Sequence, residues 1–225
     1  MRRTRIRFRR DGVRVAQNLF GKVMDKAYEL CTRISGIYWL AKSQVLYKRY
    51  LGALGRRSRI IKPLKMTRME KIFIGEDVTV NALTWLFTFS PEGHSARMII
   101  GDGCRIGHFN HITCINRVEI GNNVLTADKV HISDNSHGYE NPRMPIAKQN
   151  VVSKGPVAIG EGTWLGENVS VLSCRIGRNC VIGANSVVTR DIPDFCVAVG
   201  APARIIKRFD EGSGSWINCR TQQSA

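Results

Sequence analysis

From Ile74 onward Ile, Val or Leu recurs six residues apart in successive runs, and glycine often follows it. Ile74 leads to Val80 and Leu86, Ile100 to Ile106 and Ile112, and Ile120 to Thr126 and Ile132. The count resumes with Ile159, Leu165 and Val171, then with Ile176, Ile182 and Val188. Four places after an anchor stands a small residue: Val78, Thr84, Ser90, Cys104, Val130, Ser136, Thr163, Val169, Cys180 or Ser186. A helix repeats at about 3.6 residues and a half-buried strand at about two, so neither produces this spacing. A period of six marks a parallel β-helix in which each unit forms one short face of a coil. Anchor and small residue point inward, and the residues between them turn a corner, where glycine tolerates backbone angles that others avoid. Three faces make a triangular turn of about 18 residues. The period alone leaves the handedness open.

After the unit Ile132–His137 the rhythm stops, and residues 138–156 form an excursion containing Pro142, Pro145 and Pro156. Long loops on a regular scaffold are often functional. Before Ile72 the pattern is helical. Leu19, Phe20, Val23, Ala27, Leu30, Ile34 and Ile37 fall at helical spacing, with Lys22, Asp25, Lys26, Glu29 and Arg33 between them. A second apolar set, from Tyr38 and Leu40 to Leu51 and Leu54, extends the predicted helical stretch over residues 13–54, with Ser35-Gly36 as a candidate interruption. The expected organisation is a helical extension over 1–71, a coiled domain over 72–208 with the loop 138–156, and a flexible tail over 209–225 rich in Gly, Ser and Gln.

Charge sharpens this division. The net charge is +16, and residues 1–71 hold 20 of the 34 Lys and Arg against four acids, Asp11, Asp25, Glu29 and Glu70. The rest of the chain is balanced, so all the excess lies in the extension. A basic amphipathic helix with Trp39, Tyr38, Tyr47 and Tyr50 suits an anionic membrane surface; packing on the coil or on a second subunit is the other reading of the same face. No recognition fold accompanies the charge, which speaks against nucleic acid. No apolar run reaches the roughly 18 residues needed to span a bilayer, and no apolar secretory core follows the N-terminal arginines, Arg2 among them. The expectation is a cytoplasmic protein, peripheral on the inner face of the membrane through residues 1–60.

The seven cysteines show neither disulfide nor metal spacing. Cys104 and Cys180 occupy small inward positions and read as buried free thiols. Among the five histidines, His137 ends the last regular unit before the excursion, while His111 and His131 are 20 residues apart, close to one coil, and read as neighbours stacked on its surface.

Residues 176–207 read I-G-R-N-C-V-I-G-A-N-S-V-V-T-R-D-I-P-D-F-C-V-A-V-G-A-P-A-R-I-I-K, and residues 155–166 read G-P-V-A-I-G-E-G-T-W-L-G. Together these resemble the closing segments of the hexapeptide-repeat acyltransferases, and most of all the sugar and polysaccharide O-acetyltransferases. The resemblance spans about residues 72–208 and implies an all-β solenoid, a left-handed parallel β-helix, behind an N-terminal basic helical extension. It implies transfer of acetyl from acetyl-coenzyme A to a hydroxyl of a sugar in a cell-surface polysaccharide or its lipid-linked precursor, with no metal. It carries the role of general base to His137, substrate contacts to Asn110, Asp134 and Trp164, and coenzyme contacts to Ala184, Thr189, Arg204 and Lys207. For Asp134, a corner role satisfying turn amides is an equal alternative. Relatives often have a small residue where Glu167 stands. The resemblance also implies a homotrimer with sites shared between subunits.

Two other readings stay open here. Acyltransferase relatives acting on an amino sugar, serine or a xenobiotic share the same closing segment, because acceptor choice lies in loops such as 91–98 and 138–156. A metal lyase of the γ-carbonic-anhydrase kind would need three converging histidines, for which His94, His131 and His137 have suggestive spacing.

Overall fold

The computed structural model describes residues 3–91 and 95–219, with side chains described from Gly21 onward. The chain divides into two compact units, residues 1–41 and 42–225.

The first unit is helical. A single helix, α1 (Arg3–Val45), runs through it and ends inside the second unit. It passes Ser35-Gly36 without a break, and it stops at Val45 rather than reaching Leu54. Val23, Leu30, Ile34 and Ile37 are exposed along it. No helix among the described residues is long and apolar enough to cross a membrane.

The second unit is built of short strands taken three at a time. The first three rungs are β1 (Ala53–Leu54), β2 (Arg59–Ile60) and β3 (Lys65–Thr67), then β4 (Ile72–Ile74), β5 (Thr79–Val80) and β6 (Trp85–Thr88), then β7 (Arg97–Ile100), β8 (Arg105–Ile106) and β9 (His111–Cys114). The fourth rung is β10 (Arg117–Ile120), β11 (Leu125–Thr126) and β12 (His131–Ser133). A hairpin interrupts there, β13 (Asn135–His137) with β14 (Val151–Ser153). The winding resumes with β15 (Val157–Ile159), β16 (Trp164–Leu165) and β17 (Ser170–Leu172), and closes with β18 (Arg175–Ile176), β19 (Val181–Ile182) and β20 (Val187–Val188). Each strand of a rung joins a different sheet, giving three parallel stacks ordered β1-β4-β7-β10-β15-β18, β2-β5-β8-β11-β16-β19 and β3-β6-β9-β12-β17-β20. The chain then adds β21 (Cys196–Val199) to the second sheet and covers its edge with antiparallel β22 (Arg204–Asp210) and β23 (Ser215–Asn218). Covering an edge removes a row of unpaired backbone groups.

Register explains the period. Ile74, Ile100, Ile120, Ile159 and Ile176 stand opposite one another in the first sheet and are buried. Leu86, Ile112, Ile132, Val171 and Val188 do the same in the third. Burying one such side chain stabilises by roughly 1.5–3 kcal/mol relative to leaving it exposed. The corners are tight. A Cβ at Gly101 would lie 2.7 Å from the carbonyl carbon of Gly121 on the next rung, so no larger residue fits. Asn123, Asn168, Asn179 and Asn185 take positive φ at other corners, a conformation asparagine tolerates well.

Two boundaries differ from those expected. The winding begins at Ala53, because Leu54, Ile60 and Met66 already keep the six-residue spacing, and β1, β2 and β3 pair with the rung above. The end of α1 seals this first rung: Ser43 Oγ accepts from the Ile60 amide at 2.9 Å, and Gln44 Nε2 donates to the carbonyls of Gly55 and Ser58. At the other end, residues 209–218 are hairpin rather than free tail, with Trp216 5.6 Å from the Phe209 ring. Residues 220–225 lie outside the described residues.

Candidate active site

The excursion leaves the fourth rung at Asp134. Where the third rung crosses from β9 to β10 through Ile115 and Asn116, the fourth sends out β13 and brings it back as β14, pairing His137 with Val151 and Ser136 with Val152. The Gly138 amide donates to Asn150 O at 2.8 Å and closes this ladder. Beyond it, Gln149 Nε2 donates to the carbonyls of Asn141 and Met144, while Gln149 Oε1 accepts from the Asn141 amide, so the loop is braced by its own side chain. Lys154 Nζ lies 4.3 Å above the Tyr139 ring centre and 2.8 Å from its hydroxyl. His137 stands exposed at the end of β13.

The other residues singled out in the sequence fall into three groups. Asn110 and Asp134 are buried and engaged, so they do not face an acceptor from solution. Asn110 Nδ2 donates to Thr126 Oγ1 at 2.7 Å and its Oδ1 accepts from the Val130 amide. This pairing explains a threonine in an otherwise aliphatic column: Thr126 Oγ1 also accepts from the Gly107 amide. Asp134 is fully buried and takes backbone amides of the corner below, as the alternative reading of its spacing held. A buried polar group needs such partners, which are best supplied by main chain of a neighbouring rung.

Trp164 and Lys207 form the second group. They share one row across the second sheet, Trp164–Val181–Val197–Lys207, and both are exposed on its outer face. The third group surrounds the last rung. Ala184 and Thr189 flank β20 and are exposed, and Arg204 opens β22 just after Ala203, whose amide donates to Val187 O. Arg204 lines a groove of about 900 Å³ with Arg190, Arg208 and a single acid, Asp191. Three guanidinium groups with one carboxylate suit a polyanion, since arginine matches phosphate oxygens in pairs. The residues present therefore fit the phosphates of coenzyme A. His137 and Trp164 lie apart within one chain: His137 leaves from the corner between the third and first sheets, whereas Trp164 faces out from the second.

One column was read only in part: His111 and His131 stack as their spacing implied, and Trp85 joins them. Trp85, His111 and His131 stand in register on the outer face of the third sheet. The indole and the His111 ring stack at 4.3 Å and 10°, and His131 follows at 5.2 Å. Burial pushes the pKa of both histidines down, aided at His111 by the neighbouring His131. The pair His111–His131 had the right 20-residue spacing, but the extra residues between β6 and β7 hid Trp85. A second pair, His108 Nδ1 with Asp128 Oδ1 at 3.3 Å, sits exposed on a corner with the same spacing. Among the described residues no group of three His, Cys, Asp or Glu side chains converges as a ligand set, and His94 lies outside them. Cys104, Cys114, Cys174, Cys180 and Cys196 are buried; burial pushes Cys114 up to about 12 and Cys104 and Cys174 to about 11. They serve as small apolar packing, not as nucleophiles.

Comparison with known proteins points the same way. The family model described as bacterial transferase hexapeptide (six repeats) matches residues 156–190. A probable acetyltransferase of Mycobacterium tuberculosis is 33% identical over 189 residues, covering 77% of this chain and 62% of its own length. A putative lipopolysaccharide biosynthesis O-acetyl transferase, WbbJ of Escherichia coli, is 33% identical over 199 residues, covering 85% of this chain and 95% of its own. Among solved structures, an N-acyltransferase from Bacillus cereus, AntD in complex with dTDP and 3-hydroxybutyryl-CoA, superposes with a TM-score of 0.63. It covers 76% of this chain and 90% of its own at 19% identity, a likeness of fold.

Proposed function

The chain belongs to the hexapeptide-repeat acetyltransferases, and from that premise we propose that it transfers acetyl from acetyl-coenzyme A to a hydroxyl of a sugar in a cell-surface polysaccharide or its lipid-linked precursor. The observation that carries the reading is the position of His137: an exposed imidazole at the corner where a long excursion interrupts the winding. A histidine ring nitrogen can accept a proton from a reacting hydroxyl and give it back to a leaving group. His137 accepts the hydroxyl proton as the sugar oxygen bonds to the thioester carbonyl carbon, and returns it to sulfur as the carbon–sulfur bond breaks. Acetyl-coenzyme A supplies the activated acyl group and the thiol leaving group. Arg204 holds its phosphates in the groove with Arg190 and Arg208, Lys207 adds a cation on the second sheet, and Ala184 and Thr189 contact the coenzyme at the last rung. Trp164 lines the acceptor path.

The separation of His137 from Trp164 supports a site completed by a second copy, in a homotrimer of left-handed parallel β-helices. The exposed apolar side chains of α1, interleaved with Lys22, Lys26 and Arg33, support a peripheral contact with an anionic membrane on the cytoplasmic side, near a lipid-linked acceptor.

The test is to incubate the protein with acetyl-coenzyme A and a panel of free sugars, nucleotide sugars and lipid-linked glycans, and to read acceptor mass. Gain of one acetyl group on a sugar hydroxyl is expected; acetylation confined to amino groups would contradict the O-acetyl reading. Cosedimentation with anionic vesicles, compared between the native chain and Lys22→Glu with Lys26→Glu and Arg33→Glu, tests the membrane contact. Equal partitioning of both proteins would remove it.

A further inference from the structure

The carboxylate of Asp134 is placed where the excursion leaves the winding, and it touches neither solvent nor an acceptor site. One oxygen accepts from the Ile115 amide at 2.9 Å, and the other accepts from the amides of Asn116 and Arg117, each at 2.8 Å. These are the amides of the tight corner one rung below. Asn135 Nδ2 adds a fourth donor at 2.9 Å and reaches Thr113 Oγ1 at 3.2 Å. Each of these four donors is an N–H, which matches a group that only accepts. The main-chain carbonyl of the same residue faces the other way. It accepts from Ser153 Oγ at 3.0 Å, at the end of the strand by which the excursion returns, and from the Lys154 amide just after it at 3.3 Å.

One residue thus ties the outgoing root and the returning root of the loop to the rung beneath. Between these roots lies the β13–β14 ladder that ends at His137. A hairpin of two short strands is marginal on its own, so its direction is set by what holds its base. We infer that Asp134 is a positioning residue for transfer: it orients the hairpin so that the His137 imidazole meets the acceptor hydroxyl. The inference rests on the assignment of His137 as the base. It separates Asp134 from the substrate contacts with which its sequence position grouped it.

The test is steady-state kinetics of the full-length Asp134→Asn and Ser153→Ala variants beside His137→Ala. Asparagine keeps the shape but turns an N–H donor toward backbone amides. Small misplacement of a catalytic group costs about 10²-fold, so Asp134→Asn is expected to lower kcat by about 10- to 100-fold while KM for acetyl-coenzyme A stays put. Ser153→Ala frees only the returning root and is expected to lower kcat less, again without a change in that KM. It decides the matter if Asp134→Asn does not fold. Native kcat in Asp134→Asn, or in Ser153→Ala should that be the only folded variant, overturns the inference. So does a loss shared between kcat and KM for acetyl-coenzyme A, which would mark a general loosening of the rungs. Native activity in His137→Ala overturns both the assignment of the base and the inference built on it, whereas loss in His137→Ala with native Asp134→Asn leaves the base standing and removes only the positioning role.

Discussion

Two corners of one winding take opposite courses. In the third rung, Cys114 passes through Ile115 and Asn116 straight into β10. In the fourth, the same step from third sheet to first is stretched over residues 134–156. Below the corner the two rungs are in register, His131 over His111, Ile132 over Ile112 and Ser133 over Thr113. Above it they are again in register, Val157 over Val118 and Ile159 over Ile120. The packing of the core is therefore indifferent to what happens at the corner. A stack of rungs supplies stability from its inward columns, and chemistry can be inserted at an edge without disturbing them. The two corners even share a residue, since the Asp134 carboxylate satisfies the amides of the short corner while its carbonyl holds the long one.

The strongest way to break this comparison is to convert one corner into the other. Replacing residues 135–155 with a short turn copied from the Ile115-Asn116 corner should abolish transfer, a loss of about 10²–10⁴-fold as for removal of a general base, while circular dichroism keeps its β signature. Collapse of the fold would show that the excursion supports the rungs after all. Next in size is a cut in the shared column: Ile132→Ala, fully buried, should cost about 2–5 kcal/mol in denaturant unfolding with kcat nearly native in the folded fraction. Arg204→Ala touches neither corner and should raise KM for acetyl-coenzyme A by roughly tenfold, the scale of one charged hydrogen bond, with kcat retained. The smallest effect concerns pH. His111 and His131 have pKa values lowered in the folded state, so above the unfolded value of about 6.5 they contribute no pH dependence. As pH falls below it, the unfolded chain binds protons first and stability drops. His111→Gln with His131→Gln should flatten that acid slope in a melting series from neutral to acid pH; an unchanged slope would place the titration elsewhere.

Much of this was legible in the residues, for a physical reason. A rung is six residues per face, so the inward columns print themselves on the sequence as a period, and Ile100, Ile106 and Ile112 are read as easily as they are packed. The start of the winding was harder to see. Leu54, Ile60 and Met66 keep the period, but Arg56, Arg57 and Arg59 between them make the stretch resemble the basic extension, and the structure pairs two of these cations with acids of the next rung, Arg56 with Glu76 and Arg57 with Asp77. The position of His137 could be located because a break in a regular count is itself a signal. The roles of Asn110 and Asp134 were not fully readable. Their partners are amides and hydroxyls one rung away, about 20 residues distant, and a polar residue at a corner looks the same whether it turns to the ligand or to its neighbour's backbone.

Proton transfer by the imidazole at the stretched corner is the proposal on which the rest depends. It is tested most directly by the kcat of His137→Ala with acetyl-coenzyme A and the acceptor found in the sugar screen, with coenzyme binding checked by calorimetry. A fall of about 10²–10⁴-fold with the coenzyme still bound is expected. An unchanged kcat would contradict it.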